Sequence, residues 1–412
     1  MNRPGGSRLG MATLLVAPAT ALAGVANYAT NAWLAHALTL EAFGDAALIV
    51  SSLLLLSAIA TAVQLAAAHR RVQDEPDRLR SLRRRVGGIA AVAAVVMVAS
   101  AGPLAAGLHS TSPGSFAILG LSVPVYLAMS IDRGVMQGEQ RFADLAASLI
   151  VESVGRLVVT GLAMAWLDGP TAAAVGMASS FVLTAGHARL RPGVAVCAEA
   201  TASARQVAVG LPLVLLLFSQ VLIANGDVVV VSATAPGTAS VFAAVALLGR
   251  ISFPLAWAIV MVAFPKLADP AQAGRVARTT TLLVGGIGVA ATLATWLGGP
   301  LAARTLFGAD AARIAPFLVP YAVATGAFAL ACLGAVTDGA RGRNRGAAVL
   351  LVAGVAQTVL VAVAAPHGVG PAVWAQVVVM GTAAVVGLPR GRVVAPGEGT
   401  RRRSTPARIP VA

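Results

Sequence analysis

Apolar runs of about 20 residues recur from one end of this chain to the other, which is the length an α-helix needs to cross the hydrocarbon core of a bilayer. Twelve such runs can be counted, at 11–34, 45–68, 86–108, 115–137, 144–166, 170–187, 207–231, 240–263, 280–303, 312–335, 346–365 and 370–388. Unpaired backbone groups cannot face lipid, so every run is expected to be helical; none has the period-two alternation of a membrane barrel. Composition agrees, since 58% of the 412 residues are hydrophobic and 11% charged, against about a quarter charged in a soluble protein. The expected class is an all-α polytopic membrane protein. Arg3 and Arg8 ahead of the first run, with "ALA" at 21–23, imitate a signal peptide. Eleven further runs favour an uncleaved first helix.

Orientation follows from the basic residues. With the N-terminus inside, the cytoplasmic side collects 26 of the 30, seven of them in 69–85 and six in the tail, while the outer side keeps Arg304 and Arg313. Arg156 and Arg250 fall inside runs. The expectation is a multi-pass protein of the cell membrane with both termini cytoplasmic. The net charge of +14 then reflects this asymmetry and attraction to anionic membrane lipids rather than to nucleic acid. Cys197 and Cys332 are isolated, and no CxxC or Cys/His cluster occurs, so neither a disulfide framework, a metal site nor a cofactor is implied.

The longest outer connection, 35–44, has ten residues and leaves no room for an external domain. The inner connections 69–85 and 188–206 are longer, and the second divides the chain. Expected units are an N-terminal six-helix bundle over 1–190, a cytoplasmic linker over 191–206, a C-terminal six-helix bundle over 207–388, and a disordered basic tail over 389–412. The halves read as copies. A slide of 201 residues lays 137–174 over 338–375 without a gap, so that Gly169 meets Gly370, Pro170 meets Pro371 and Arg156 meets Gln357. A slide of 196 lays the first run and its hairpin over the seventh, and Asn31 meets Asp227. Both halves start inside, so the repeats are parallel, a pattern of secondary transporters with a midplane site between the repeats.

Ionisable residues inside a membrane usually line a cavity or pair with one another. Glu152 and Arg156 lie at mid-depth, four apart on one helix face with the acid N-terminal. They are either a self-neutralising structural pair or a cavity-facing arginine held by its acid. Arg250 lies at mid-depth of the eighth run with no partner at helical spacing, so it needs an acid from elsewhere or an anionic ligand, and its fork suits phosphate oxygens. Asp227 lies within about a turn of the outer end of the seventh run, where it could cap, pair, or carry a proton or sodium ion. Asn27 and Asn31 in the first run, with Gln220, add uncharged polarity that suits bonds between helices. Asp132 and Arg133 at an inner end read as snorkelling residues, and Tyr28 and the tryptophans near run ends as interfacial anchors. Pro254, one turn from Arg250, marks a candidate kink.

Three stretches carry a family resemblance. "ANYATNAWLAHALTLEAFGDAALIVSSLLLL" (26–56) resembles the opening hairpin of the Wzx-type polysaccharide and O-antigen flippases of the MATE-like transporter superfamily. "RGVMQGEQRFADLAASLIVESVGRLVV" (133–159) resembles their fourth-to-fifth span junction, and "NGDVVVVSATAPGTASVFAAVALLGRISFPLAWAIVMVAFPKLAD" (225–269) the hairpin that opens their second half. The resemblance implies two six-helix bundles around a central cavity, with alternating access. Its substrates would be polyprenyl-pyrophosphate-linked oligosaccharides moved from the inner to the outer leaflet, and enzymes of polysaccharide synthesis would be neighbours. Arg250 matches the arginine of the family's "LGR" pattern and Asp227 its "N-x-D" pattern. The related lipid II flippases usually have fourteen spans where this chain has twelve.

Three functions compare differently with these residues. A lipid-linked oligosaccharide flippase would use Arg250, with Arg156 and Glu152, on the pyrophosphate; Asn27, Asn31 and Gln220 would line the sugar path, and Asp227 would be the coupling-ion candidate for H+ or Na+. A cation-coupled multidrug antiporter of the same fold needs a membrane acid, usually in the N-terminal half, where the first run offers only asparagines. A membrane glycosyltransferase or polymerase needs catalytic carboxylates or histidines on a sizeable loop, and none forms here, so an enzyme is not expected.

Overall fold

The computed structural model describes residues 5–190, 211–267 and 271–388, so the expected linker (191–206) and tail (389–412) lie outside the described residues. The N-terminal half comprises α1 (Gly5–Ala37), α2 (Leu40–Val72), α3 (Pro76–Ala99), α4 (Ala101–Gly107), α5 (Pro113–Gly138), α6 (Phe142–Ala163) and α7 (Gly169–Leu190). The C-terminal half comprises α8 (Leu211–Thr234), α9 (Pro236–Gly249), α10 (Phe253–Leu267), α11 (Ala273–Phe307), α12 (Ala311–Ala340), α13 (Arg345–Ala364) and α14 (Val369–Gly387). No strand occurs among the described residues. Seven described stretches are long and apolar enough to cross a membrane, or nine if each bent pair counts as one; one of the seven, Ala273–Ala340, holds both α11 and α12. Large apolar side chains such as Leu297, Val352 and Val385 point outward with most of their surface uncovered, as a bilayer-facing surface requires. The protein is an integral multi-pass membrane protein.

Each expected run coincides with one helix, except the third and eighth, which are bent pairs. The α3–α4 pair bends by 63° and the α9–α10 pair by 47°. Pro103 and Pro254 sit in the first turns of α4 and α10, where a missing N–H is harmless, while the helix before them cannot continue through their rings. The inner connection expected over 69–85 is largely helical instead. Helices α2 and α3 run on past the apolar segments to Val72 and from Pro76, because arginine is a good helix former and the solvated turns carry ion pairs such as Arg78–Glu75 and Arg80–Asp77.

The halves repeat each other in space. Helix α1 packs on α6, α6 on α7, α5 on α7 and α3 on α5; correspondingly α8 packs on α13, α13 on α14, α12 on α14 and α11 on α12. Individual contacts repeat too. Arg156 donates to Asn27 at 2.9 Å, and Gln357 donates to the Ile223 carbonyl at 3.1 Å; the slides of 201 and 196 residues carry the first pair onto the second. An even number of spans per half makes the repeats parallel, with a pseudo-two-fold axis along the membrane normal. Gly44 of α2 and Ser240 of α9 are themselves equivalent under the 196 slide, and they touch. A Cβ on Gly44 would stand 2.8 Å from Ser240 Cα. Residues that meet their own equivalents lie on the axis.

This contact belongs to the arginine-poor end. There the core is continuous across both halves, taking in Leu40 and Phe43 of one and Phe242, Ala303, Phe307 and Ile314 of the other. Phe43 and Phe307 meet edge to face at 5.3 Å. His36 bonds the Thr305 carbonyl at 3.1 Å and His109 the Ser232 carbonyl at 3.2 Å. Toward the arginine-rich end the cores separate into one cluster built from Leu216, Val260, Leu267 and Phe328 and another built from Ala60, Ala90 and Leu127. The halves therefore close at one end and hold separate cores at the other.

Candidate functional site

Between the halves lies a cavity of about 500 Å³ bounded by α1, α2, α8, α9 and α10. Its walls are mainly apolar, with Phe43, Leu54, Phe253 and Trp257 prominent, and its polar groups are Tyr28, Asn27, Asn31, Ser51, Gln220, Asn225, Thr20 and Arg250. Of the six cavity residues expected from sequence four line it, Asn27 and Asn31 from one face of α1, Gln220 from α8 and Arg250 from the break between α9 and α10, while Glu152 and Arg156 do not. Arg250 is placed by that break. It caps α9, its N–H bonding the Ala246 carbonyl at 3.2 Å while its own carbonyl accepts from Phe253 at 3.0 Å, and the side chain is carried away from the helix axis into the gap.

Arg250 is not the lone cation that its own helix suggests. Its guanidinium donates to Asp227 of α8, and it lies over the Tyr321 ring with 5.4 Å to the centroid. The Asp227 Oδ2 atom also accepts from Tyr321 Oη at 2.8 Å and Gln376 Nε2 at 2.5 Å, and Oδ1 accepts from the Val228 N–H at 2.8 Å. Asp227 is wholly buried, whereas the Arg250 side chain keeps 24% of its surface exposed. The acid therefore stands behind the arginine and the arginine faces the cavity. Asp227 also lies deeper than expected. Helix α8 continues to Thr234, which leaves seven residues, or about 10 Å, between the acid and the helix end. At that depth a carboxylate persists only when paired and hydrogen-bonded, and it has a cation and three further donors. Beyond Arg250 is a second, smaller space of about 30 Å³, lined by Tyr321, Thr325, Gln357 and Gln376 among others. Gln357 Oε1 is buried without a hydrogen-bond partner among the described residues.

The N-terminal half holds a matching cluster away from the cavity wall. Glu152 of α6 accepts from Arg156 at 2.7 Å and from Arg133 of α5 at 2.7 Å. Arg133 also reaches the Ser148 hydroxyl at 3.0 Å and its carbonyl at 2.9 Å. Arg156 donates onward to the Asn27 side-chain oxygen at 2.9 Å, which ties the cluster to a cavity residue. Two arginines and one acid leave a buried charge of one plus. Neither Glu152 nor Arg156 lines the cavity; they back Asn27. Arg133 corrects the snorkelling expectation, since it is buried and turned inward to Glu152 of α6. Asp132 next to it does face the arginine-rich end, pairing with Arg83 at 2.7 Å. Tyr28 and Trp257 also differ from the interfacial anchors expected, because the cavity between the halves is where α1 and α10 place them.

Three polar residues join the site beyond those expected from sequence: Tyr321 and Gln376 at Asp227, and Asn225 on the cavity wall. Tyr321 and Gln376 are polar side chains isolated in apolar runs, a usable signal, but only the packing of α12 and α14 on α8 brings them to Asp227. Among the described residues no group of His, Cys, Asp and Glu side chains could hold a metal ion.

No protein-family profile and no curated sequence matches this chain. Solved structures do. An inward-facing multidrug-resistance MATE transporter of the MOP superfamily superimposes with a TM-score of 0.72 at 13% identity, over 89% of this chain and 93% of that one. The lipid II flippase MurJ in an inward closed conformation gives 0.72 at 12% identity, over 91% and 87%. An outward-facing MATE transporter of the MOP superfamily gives 0.60 at 13% identity, over 92% and 94%.

Proposed function

The MATE-like fold of the MOP-superfamily transporters is the frame of this chain, and we propose that within it the protein is a flippase for polyprenyl-pyrophosphate-linked oligosaccharides, moving them from the inner to the outer leaflet by alternating access. One observation carries the reading: among the described residues lining the central cavity, Arg250 is the one ionised side chain. A guanidinium at a low-dielectric wall attracts an anion and repels a cation. Its fork can take two phosphate oxygens at once while Asp227 and Tyr321 hold it in place. Asn27, Asn31, Asn225 and Gln220 supply amide groups for sugar hydroxyls, and the bond from Arg156 to the Asn27 oxygen leaves that residue's N–H groups free to donate. The polyprenyl tail stays in the bilayer.

The arginine excess assigns the separated end of the halves to the cytoplasm, so the conformation described is inward-facing, in keeping with the higher TM-scores to inward-facing structures. Translocation is rocking of the halves against each other, which parts Gly44 from Ser240 as the arginine-poor end opens. Asp227 is the coupling candidate. A substrate that draws Arg250 toward the cavity competes with Asp227 for the same guanidinium, which links substrate binding to the acid. A cation-coupled drug antiporter is the alternative, and it is disfavoured because no carboxylate lines the cavity.

The test is reconstitution in liposomes with a fluorescent polyprenyl-pyrophosphate oligosaccharide and, in parallel, a cationic dye under an imposed proton or sodium gradient. Wild type should flip the lipid, and the Arg250→Gln/Asp227→Asn protein should not. Dye efflux without lipid flipping would replace this reading with the antiporter.

A further inference from the structure

On the far side of the C-terminal half, away from the central cavity, α13 and α14 enclose a groove of about 490 Å³. Its walls are aliphatic: Ala348, Val352, Ala356 and Leu360 from α13 face Val378 and Val386 from α14. The one hydroxyl in it, Thr382, is already bonded to the Val378 carbonyl of its own helix at 2.8 Å, so the groove offers nothing to water. Its α13 wall runs from residue 345 to residue 360, about 22 Å at the helical rise, which exceeds the ~15 Å of one hydrocarbon leaflet. Arg345 closes the groove at the arginine-rich end, donating to the Val386 carbonyl at 3.2 Å.

Beside Arg345, the turn between α12 and α13 carries Arg341 and Arg343, and all three are exposed. Among the described residues none of the three has an ion-pair partner; in the α2–α3 region Arg71, Arg78, Arg80 and Arg83 are matched to carboxylates, while Arg70, Arg84 and Arg85 are unmatched but border no such groove. Three unmatched guanidinium groups therefore stand at the mouth of a dry channel longer than one leaflet is deep. From this juxtaposition we infer that the α13–α14 groove is a binding site for an anionic phospholipid of the leaflet at the arginine-rich end. The phosphate sits on Arg341, Arg343 and Arg345, and an acyl chain lies between the two helices. The site is independent of the transport reading, because neither the central cavity nor Arg250 takes part.

Native mass spectrometry of the purified protein released from nanodiscs of equal parts phosphatidylglycerol and phosphatidylcholine tests this. Wild type should carry retained lipid enriched in phosphatidylglycerol. Replacing the three arginines by glutamine should lower that enrichment by roughly fivefold per arginine, while the same change at the exposed Arg84 and Arg85 should leave it in place. Thr382→Phe, at an exposed groove position, should reduce total retained lipid without changing thermal stability. Equal retention of both lipids by wild type overturns the inference, as does an equal loss from the Arg84/Arg85 variant. Preferential retention of a polyprenyl phosphate added to the mixture overturns the choice of occupant.

Discussion

Gly44→Ala is the most informative substitution for the mechanism, because it acts on the one close approach that lies on the pseudo-two-fold axis. The added methyl would stand 2.8 Å from both Cα and Cβ of Ser240 and 3.4 Å from its backbone nitrogen. Carbon atoms pack at about 3.5–4.0 Å, so the helices must separate by roughly 1 Å, and the obstructing atoms include backbone that cannot rotate aside. Overpacking of this kind costs about 1–3 kcal/mol. The contact exists only while the arginine-poor end is closed, so the whole cost falls on the conformation closed there and the population ratio moves toward the conformation open there by about 5- to 150-fold. Double electron–electron resonance can read this between labels at the exposed positions Ala37 and Ala233, after replacing Cys197 and Cys332. The variant should show a longer-distance population where wild type shows a short one. An unchanged distance distribution in a variant with lowered thermal stability would refute the reasoning, since Gly44 would then be a packing position with no bearing on the switch.

The remaining predictions concern the two buried clusters and one junction. Arg250→Gln alone should lower stability by about 3–5 kcal/mol, because it strands a buried carboxylate, and adding Asp227→Asn should recover most of that loss in a thermal unfolding assay without restoring flipping. Glu152→Gln should be similarly destabilising at about 3–5 kcal/mol, since Arg133 and Arg156 then face each other unneutralised. Asn27→Ala should cost less, about 1–3 kcal/mol for one donor left unmatched, and a larger effect for Asn27 would refute this ranking. Asp168, in the connection between α6 and α7, is subject to burial that would raise its pKa, but hydrogen bonds from Thr171 and Ser112 outweigh it and hold the carboxyl below the usual range. A depressed folded-state pKa means its contribution is complete above about pH 4, the unfolded value, and is lost as pH falls through the lower folded value. Asp168→Asn should therefore flatten the acid limb of a stability–pH profile, and an unaltered limb would show that the carboxyl contributes nothing there.

Much of this molecule was legible in the order of its residues. Lipid permits few backbone solutions, so twelve apolar runs of helical length specify twelve crossings with little ambiguity. The repeat could be read by sliding the chain on itself, and Arg156 over Gln357 proved to be a repeated contact between equivalent helices. Tertiary structure decided how the buried charges pair. Asp227 and Arg250 are 23 residues apart and share no helical face, so helical spacing left each without a partner. Arg133 was likewise read from its place near a run end, and only the packing of α5 against α6 turns it to Glu152. Helical periodicity reports neighbours three and four residues away, and pairs formed between helices leave no mark in it. The sequence alone determined the class, the number of crossings and the presence of costly charges in the membrane. Which of those charges neutralise one another, and that Arg250 alone among the described residues presents a charge to the cavity, followed only from the packing of the two halves.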